Sequence, residues 1–245
     1  MSSPPPRHPG RPYFGPIGDR LGRAYLRYGF TKGTAQEVRF LLEVMALRPE
    51  ARLLDVGCGP GRHVVPLAEA GLAVTGIDVS RRFLDLAAER ATAAGIRAAL
   101  FEVDARQMPF DNEFDAVVSL CQGGFGLMAG DDSLILRRMA EAARPGGIVV
   151  VTAFNALFEA RHPRAEANFD AGAGIVHEVT SVTGENGDQA AVDLWTSVYT
   201  PRELTLLSIG VGLVPSAIWS VEPGDYARRP PTLDHPELLL VAHKP

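Results

Sequence analysis

The chain has 245 residues, 46% of them hydrophobic, and a formal net charge of −5. That length and apolar content suffice for one full α/β core, and an acidic balance with no basic block counts against a nucleic-acid backbone as partner. Two cysteines, Cys58 and Cys121, without C-x-x-C spacing exclude a disulfide framework and point to a reduced, cytoplasmic setting.

In chain order, residues 1–12 are proline-rich and lack an apolar core, so they read as a disordered tail and not as a signal peptide or membrane anchor. No run of about 18 apolar residues occurs further on, which excludes a spanning helix. Residues 13–34 are unusually aromatic, with Tyr13, Phe14, Tyr25, Tyr28 and Phe30, and lead into a helix whose Val38, Leu41, Leu42 and Met45 share one face. Next comes Leu53-Leu54-Asp55-Val56-Gly57-Cys58-Gly59-Pro60-Gly61, a buried strand breaking into a glycine loop that should open a helix at Arg62 with free N–H groups. The dinucleotide fingerprint G-x-G-x-x-G does not fit, because the third glycine arrives one residue early. Asp55, two residues before the first glycine, would repel a pyrophosphate and suit a cationic ligand.

Further strands follow in βαβ rhythm. Ala73-Val74-Thr75-Gly76-Ile77 ends in Asp78, with Ser80 as the cap of the next helix. Residues 98–103 end in Asp104. Residues 114–120 form a fourth strand running into Cys121-Gln122-Gly123-Gly124-Phe125-Gly126, and Arg144-Pro145-Gly146-Gly147 makes a structural turn into a fifth, Ile148-Val149-Val150-Val151. Residues 155–170 read as helical or irregular. Two alternating runs, 175–182 and 191–199, joined by Gly184-Glu185-Asn186-Gly187-Asp188, read as an antiparallel hairpin. Thr200 then caps a helix with Pro201 in its first turn, and residues 213–221 and 238–243 supply the last two strands.

From the glycine loop, its acid and the acids at 78 and 104, the chain resembles the class I S-adenosylmethionine-dependent methyltransferases over residues 35–155. The resemblance implies a Rossmann-like three-layer αβα sandwich. Its seven-stranded sheet would be mostly parallel with one antiparallel strand, and the ligand would lie at the carboxyl ends of strands one to four. Residues 13–154 and 200–245 would form this core, with 13–48 as an N-terminal helical lid and 155–199 as a cap carrying the hairpin insertion. The cofactor would be S-adenosyl-L-methionine, leaving as S-adenosyl-L-homocysteine. By resemblance its site comprises Asp55, Gly57, Cys58, Gly59, Gly61 and His63, with Asp78 and Val79 at the ribose and Asp104 and Ala105 at the adenine. Leu120 and Gln122 would lie under the methionine half, with Arg27, or Lys32, at its carboxylate.

The expected partner is a small-molecule methyl acceptor, a metabolite or natural-product intermediate methylated on O, N or C, with neither nucleic acid nor membrane involved. Tyr25, Tyr28, Phe30, Phe125, Trp195 and Tyr199 are the candidate pocket walls. Positioning can carry the transfer if the nucleophile is already unprotonated; otherwise His177 or Glu178 is the candidate base. The six histidines show no H-x-x-x-H spacing, so no metal is implied. The hairpin edge offers a route to a homodimer. Three other readings stay open: a protein or nucleic-acid methyltransferase, which Cys121-Gln122-Gly123-Gly124 does not match; a non-catalytic S-adenosylmethionine-binding module; and, more remotely, a nicotinamide oxidoreductase.

Overall fold

The structure, a computed structural model, describes residues 14–127 and 130–245. The tail expected at 1–12 lies outside the described residues, as does Tyr13. The chain begins with α1 (Phe14–Leu21), two short 3-10 turns (Gly22–Arg27 and Gly29–Gly33) and α2 (Thr34–Met45). The alternation then runs β1 (Arg52–Val56), α3 (Val64–Glu69), β2 (Ala73–Asp78), α4 (Arg81–Ala93), β3 (Ala99–Glu102), β4 (Phe114–Ser119), α5 (Asp132–Ala142) and β5 (Ala143–Asn155). After it come α6 (Ala156–Arg161), β6 (Ala167–Asp170), β7 (Ile175–Thr183), β8 (Gln189–Tyr199), α7 (Pro201–Gly210), β9 (Val214–Val221) and β10 (Glu237–His243).

The main sheet reads β3-β2-β1-β4-β5-β10-β9 across its width. The first five strands are parallel, and β10 runs antiparallel to both β5 and β9. This is the mostly parallel seven-stranded sheet with one antiparallel strand. Its central strands are buried on both faces, as parallel strands under crossover helices must be. Leu53, with Val74, Val118 and Val150, packs on one face under Leu41 of α2 and Leu67 of α3. Leu54, with Val117, Val149 and Val151, packs on the other under Ile135 and Met139 of α5 and Leu204 of α7.

Local chemistry sets the element ends. Ser80 caps α4 by accepting from Phe83 N at 3.2 Å, and Thr200 and Glu203 close a reciprocal capping box on α7 with Pro201 in its first turn. The helix after the glycine loop starts at Val64, two residues later than expected, because 60–63 are spent on turns. The Pro145-Gly146-Gly147 step lies inside β5, where the register against β4 jumps from Phe114↔Ala143 to Ala116↔Ile148.

Beyond Ala153, β5 takes a second neighbour: Phe154 and Asn155 pair with Val198 and Tyr199 of β8 in parallel. Strand β8 pairs antiparallel with β7, and β7 with β6. The stretch read as helical or irregular thus contains α6 followed by a third strand, formed because β7 offers Ile175–Glu178 as an open edge. Three antiparallel strands stand over the carboxyl ends of the main sheet. The N-terminal segment packs against them: Ile17 and Leu21 of α1 meet Phe83 and Leu86 of α4 and Val182 of β7.

Candidate active site

Two adjoining cavities lie at the carboxyl ends of β1, β2, β4 and β5. The first is a narrow slot of about 50 Å³, bordered by Gly57, Gly59, Asp78, Val79, Phe83 and Ala105, with Phe14, Tyr25, Cys121 and Leu127 at its mouth. The second is a chamber of about 500 Å³ that shares Phe14, Tyr25, Cys121 and Leu127 with the slot.

The glycine loop holds its own amides. Gly57 N and Cys58 N both donate to Ile77 O at 2.9 Å, Gly61 N donates to Cys58 O at 3.2 Å, and Gly59 N donates to Asp78 Oδ2 at 2.8 Å. Gly57, Cys58, Gly59 and Gly61 therefore keep no N–H free for a ligand. Gly57 is required sterically: at φ 74° its Cβ would fall 2.1 Å from the carbonyl carbon of Gly123. Gly59, at φ 54°, borders the slot, and a Cβ there would meet nothing nearer than Phe83 at 3.9 Å, which leaves that space to a ligand.

Asp78 sits where the acid of strand two was expected. Its Oδ1 accepts from Ser80 N and its Oδ2 from Gly59 N, both at 2.8 Å, so the carboxylate is fixed and each oxygen keeps a lone pair for a hydroxyl donor. Burial pushes its pKa up to about 6 against those bonds. Asp55 lies beneath the loop, 2% exposed, with Oδ2 lacking a partner. Burial pushes it up to about 7, Arg62 pulling the other way.

Several expected ligand contacts are otherwise employed. Asp104 is clasped by Arg106, Nη2 to Oδ2 at 2.9 Å, while Arg106 also reaches Asp131 at 2.8 Å. Its neighbours Val103 and Ala105 line the slot in its place. Gly61 packs on α4, where a Cβ would come within 2.9 Å of Ala87 Cβ. Cys58 and Leu120 belong to the core under α2 and α3. Arg27 and Lys32 are exposed and border neither cavity. His63 is a buried brace, Nε2 2.9 Å from Glu37 Oε2, and burial pushes its pKa down to about 4, so it stays neutral.

The cation at the site is Arg62, which no sequence signal marked. Its Nη1 lies 2.6 Å from Glu37 Oε2 and 2.9 Å from Thr34 Oγ1, and its Nη2 reaches Cys121 Sγ, tying α2 to the loops after β1 and β4. Among the described residues Glu37, His63 and Cys121 present ligand atoms within 4.8 Å of one another, a metal-like grouping, but the Arg62 guanidinium already bonds both Glu37 and Cys121. Cys121 and Gln122 are consecutive non-glycine residues in the left-handed region, φ 51° and 55°. Such strain persists where surrounding structure over-determines it, often beside a site.

The chamber is roofed by Ile17, Leu21, Tyr25, Tyr28 and Phe30 of the lid and walled by β7 and β8. Strand periodicity decides which of their side chains enter it. Glu178, Thr180 and Val182 face in with Leu194 and Thr196, whereas His177 and Trp195 pair on the opposite face, ring centroids 4.8 Å apart. His177 there bonds Asp193 at 2.9 Å and borders neither cavity. Glu178 enters the chamber but is paired with Arg164. Phe125 and Tyr199 stack on each other in the core, and Tyr199 Oη donates to Asp132 at 2.8 Å. Of the six aromatic wall candidates, Tyr25, Tyr28 and Phe30 border the chamber; Phe125, Trp195 and Tyr199 do not. Sequence reasoning missed Glu237, Phe154, Pro223 and Pro236, brought there by the ends of β5, β9 and β10.

The groups bordering the slot, a fixed carboxylate at Asp78 and the rings of Phe14, Tyr25 and Phe83, match the chemistry of a nucleoside bearing positive charge. They do not fit a pyrophosphate. Residues 53–147 match the family model described as a methyltransferase domain. In fold the chain is similar to solved S-adenosylmethionine-dependent methyltransferases.

It is similar to the 27-O-demethylrifamycin SV methyltransferase of Amycolatopsis mediterranei, 31% identical over 60% of this chain and 58% of that one. It is also similar to the demethylmenaquinone methyltransferase of Bacillus licheniformis, 36% identical over 44% and 47%. The alignments thus span about half the length of these curated relatives. In fold it resembles the CcbJ methyltransferase of Streptomyces caelestis, with a TM-score of 0.76 at 21% identity over 93% of this chain and 97% of that one.

Proposed function

We propose that the protein transfers the methyl group of S-adenosylmethionine to a small molecule with a largely apolar body. The carrying observation is that the slot opens into the chamber past Phe14, Tyr25, Cys121 and Leu127, so a nucleoside in one and an acceptor in the other would meet there. The two relatives above are named for small-molecule acceptors, which supports the same class here. A volume of about 500 Å³ falls within the usual range for small-molecule sites.

In this reading Asp78 would accept from the ribose hydroxyls, and Val79, Phe83, Val103 and Ala105 would cover the base. Asp55, beneath the loop and held near its own protonated form by burial, would be drawn to its ionised form by a cation bound above it. When bound, the cofactor supplies a methyl group made electrophilic by its sulfonium. The chain's own work is positioning: Tyr25 and Phe14 offer ring faces to a cation, and lid and hairpin exclude water while holding the acceptor in line. Burial raises the Tyr25 pKa further, so its hydroxyl stays protonated and serves as a donor and not as a base.

Calorimetric titration with S-adenosylmethionine, S-adenosylhomocysteine and NAD side by side tests this. Binding of the first two without NAD is expected. Binding of NAD, or silence from both sulfur nucleosides, would overturn it.

A further inference from the structure

The chamber wall carries a carboxylate that positioning alone does not use. Glu237 opens β10, opposite Phe154 of β5 and Val221 of β9, so its backbone is fixed by the sheet on both sides. It borders the chamber, is 4% exposed, and its Oε2 has no hydrogen-bond partner. Gln122, beside it and equally buried, has an unpartnered Nε2. Buried polar atoms are nearly always satisfied, and each exception asks for a cause.

The surrounding charges do not supply one. Burial is the largest influence on Glu237 and pushes it up to about 7; the hydrogen-bonding pull of the neighbouring Gln122 side chain is the largest opposing influence, Arg62 opposes more weakly, and Glu37 and Glu222 push upward, while Oε2 itself stays without a partner. The Cys121 thiol and Tyr226 hydroxyl, which sense Glu237, are themselves pushed up by burial and stay protonated. Arg62 spends its guanidinium on Glu37, Thr34 and Cys121. Among the described residues lining the chamber there is no Lys, Arg or His, and its other carboxylate, Glu178, is neutralised by Arg164. The remaining wall is chiefly apolar, as with Ile17, Leu21, Phe30, Phe154 and Leu194.

We infer that Glu237 receives the amino group of the acceptor, so that the substrate is an amine on an apolar body and nitrogen is the atom methylated. The inference rests on the methyltransferase reading above. An ammonium docked at Glu237 passes one proton to the carboxylate and frees its lone pair. That pair forms the new nitrogen–carbon bond as the methyl–sulfur bond breaks, its electrons staying on sulfur as a neutral thioether. A carboxylate whose proton affinity is matched to neutral pH suits this transfer.

The test uses the protein loaded with S-adenosylhomocysteine, titrated with a panel of arylalkyl amines, each beside its isosteric alcohol and carboxylate. Amines should bind more tightly than their alcohols by about tenfold or more, the worth of a charged hydrogen bond. Glu237→Gln should abolish that preference and leave S-adenosylhomocysteine affinity intact. Amines and alcohols binding alike, no amine binding at all, or a preference that survives Glu237→Gln would each overturn the inference. Loss of S-adenosylhomocysteine affinity in that variant would assign the carboxylate to the cofactor and overturn it too. The wild-type comparison needs no variant, so a misfolded Glu237→Gln leaves the inference open to refutation. Failure of wild-type protein to bind S-adenosylhomocysteine would defeat the methyltransferase reading itself, a separate result.

Discussion

Asp78 at the slot and Glu237 in the chamber are both buried acids at the rim of one sheet, yet their surroundings differ. Asp78 has each oxygen held by a backbone N–H, from Gly59 and Ser80, within about twenty residues of chain. Glu237 has an oxygen with no partner, and its chamber neighbours come from α1, β7, β8 and the loop after β4. The carboxylate of the slot is local architecture, fixed within one βαβ unit. The chamber is assembled from segments distant in sequence, and leaves a polar atom for a ligand to answer.

That contrast predicts where substitutions hurt most. Gly57→Ala should be the most damaging, since the new Cβ meets the Gly123 backbone and takes a left-handed φ; overpacking and strain together should cost about 3 kcal/mol. Chemical denaturation should show that loss together with failed cofactor binding, and a near-neutral result would break the picture of a preassembled slot. Asp78→Ala removes the acceptor of two backbone amides and, in the proposed reading, of the ribose, and should weaken S-adenosylhomocysteine binding by roughly 1–3 kcal/mol in calorimetry. Unchanged affinity would sink the ribose assignment.

Asp55 sharpens the comparison through pH. Its folded pKa, about 7, lies above its ordinary value of 3.8, so between those limits the unfolded chain ionises while the folded protein stays protonated, and stability falls as pH rises. Asp55→Asn removes this penalty. Its stability advantage over wild type should therefore grow from pH 4 to about 7 and level off above, while cofactor affinity falls. Thermal unfolding across that range reads it, and a pH-independent difference would refute the assignment. His177→Ala should have the smallest effect: facing away from the chamber and bonded to Asp193, it should leave turnover with an accepted substrate unchanged. A large loss there would bring the outer face of the hairpin into the chemistry.

The slot was legible because its parts lie on a short rhythm. The strand, glycine loop, Asp78 and the Ser80 cap are consecutive decisions of local backbone chemistry, and the acid before the first glycine already argued against a pyrophosphate. The pairing of Asp104 with an arginine two residues on was not read from the sequence; Arg106 clasps that carboxylate. His177 and Glu178 could not be separated by composition. Strand periodicity sends neighbours to opposite faces, but which face meets the chamber depends on how β8 docks on β5.

The sequence by itself determined the βαβ core, its mostly parallel sheet and the place of the aromatic N-terminal segment, because hydrophobic periodicity, caps and glycine conformations act over a few residues. Only the tertiary structure decided that Arg62, Glu37 and Cys121 join three segments, that Trp195 and Tyr199 are not pocket walls, and that Glu237 reaches the acceptor chamber. Those outcomes depend on long-range strand pairing and on which buried polar groups find partners, and neither is written at any single stretch of the chain.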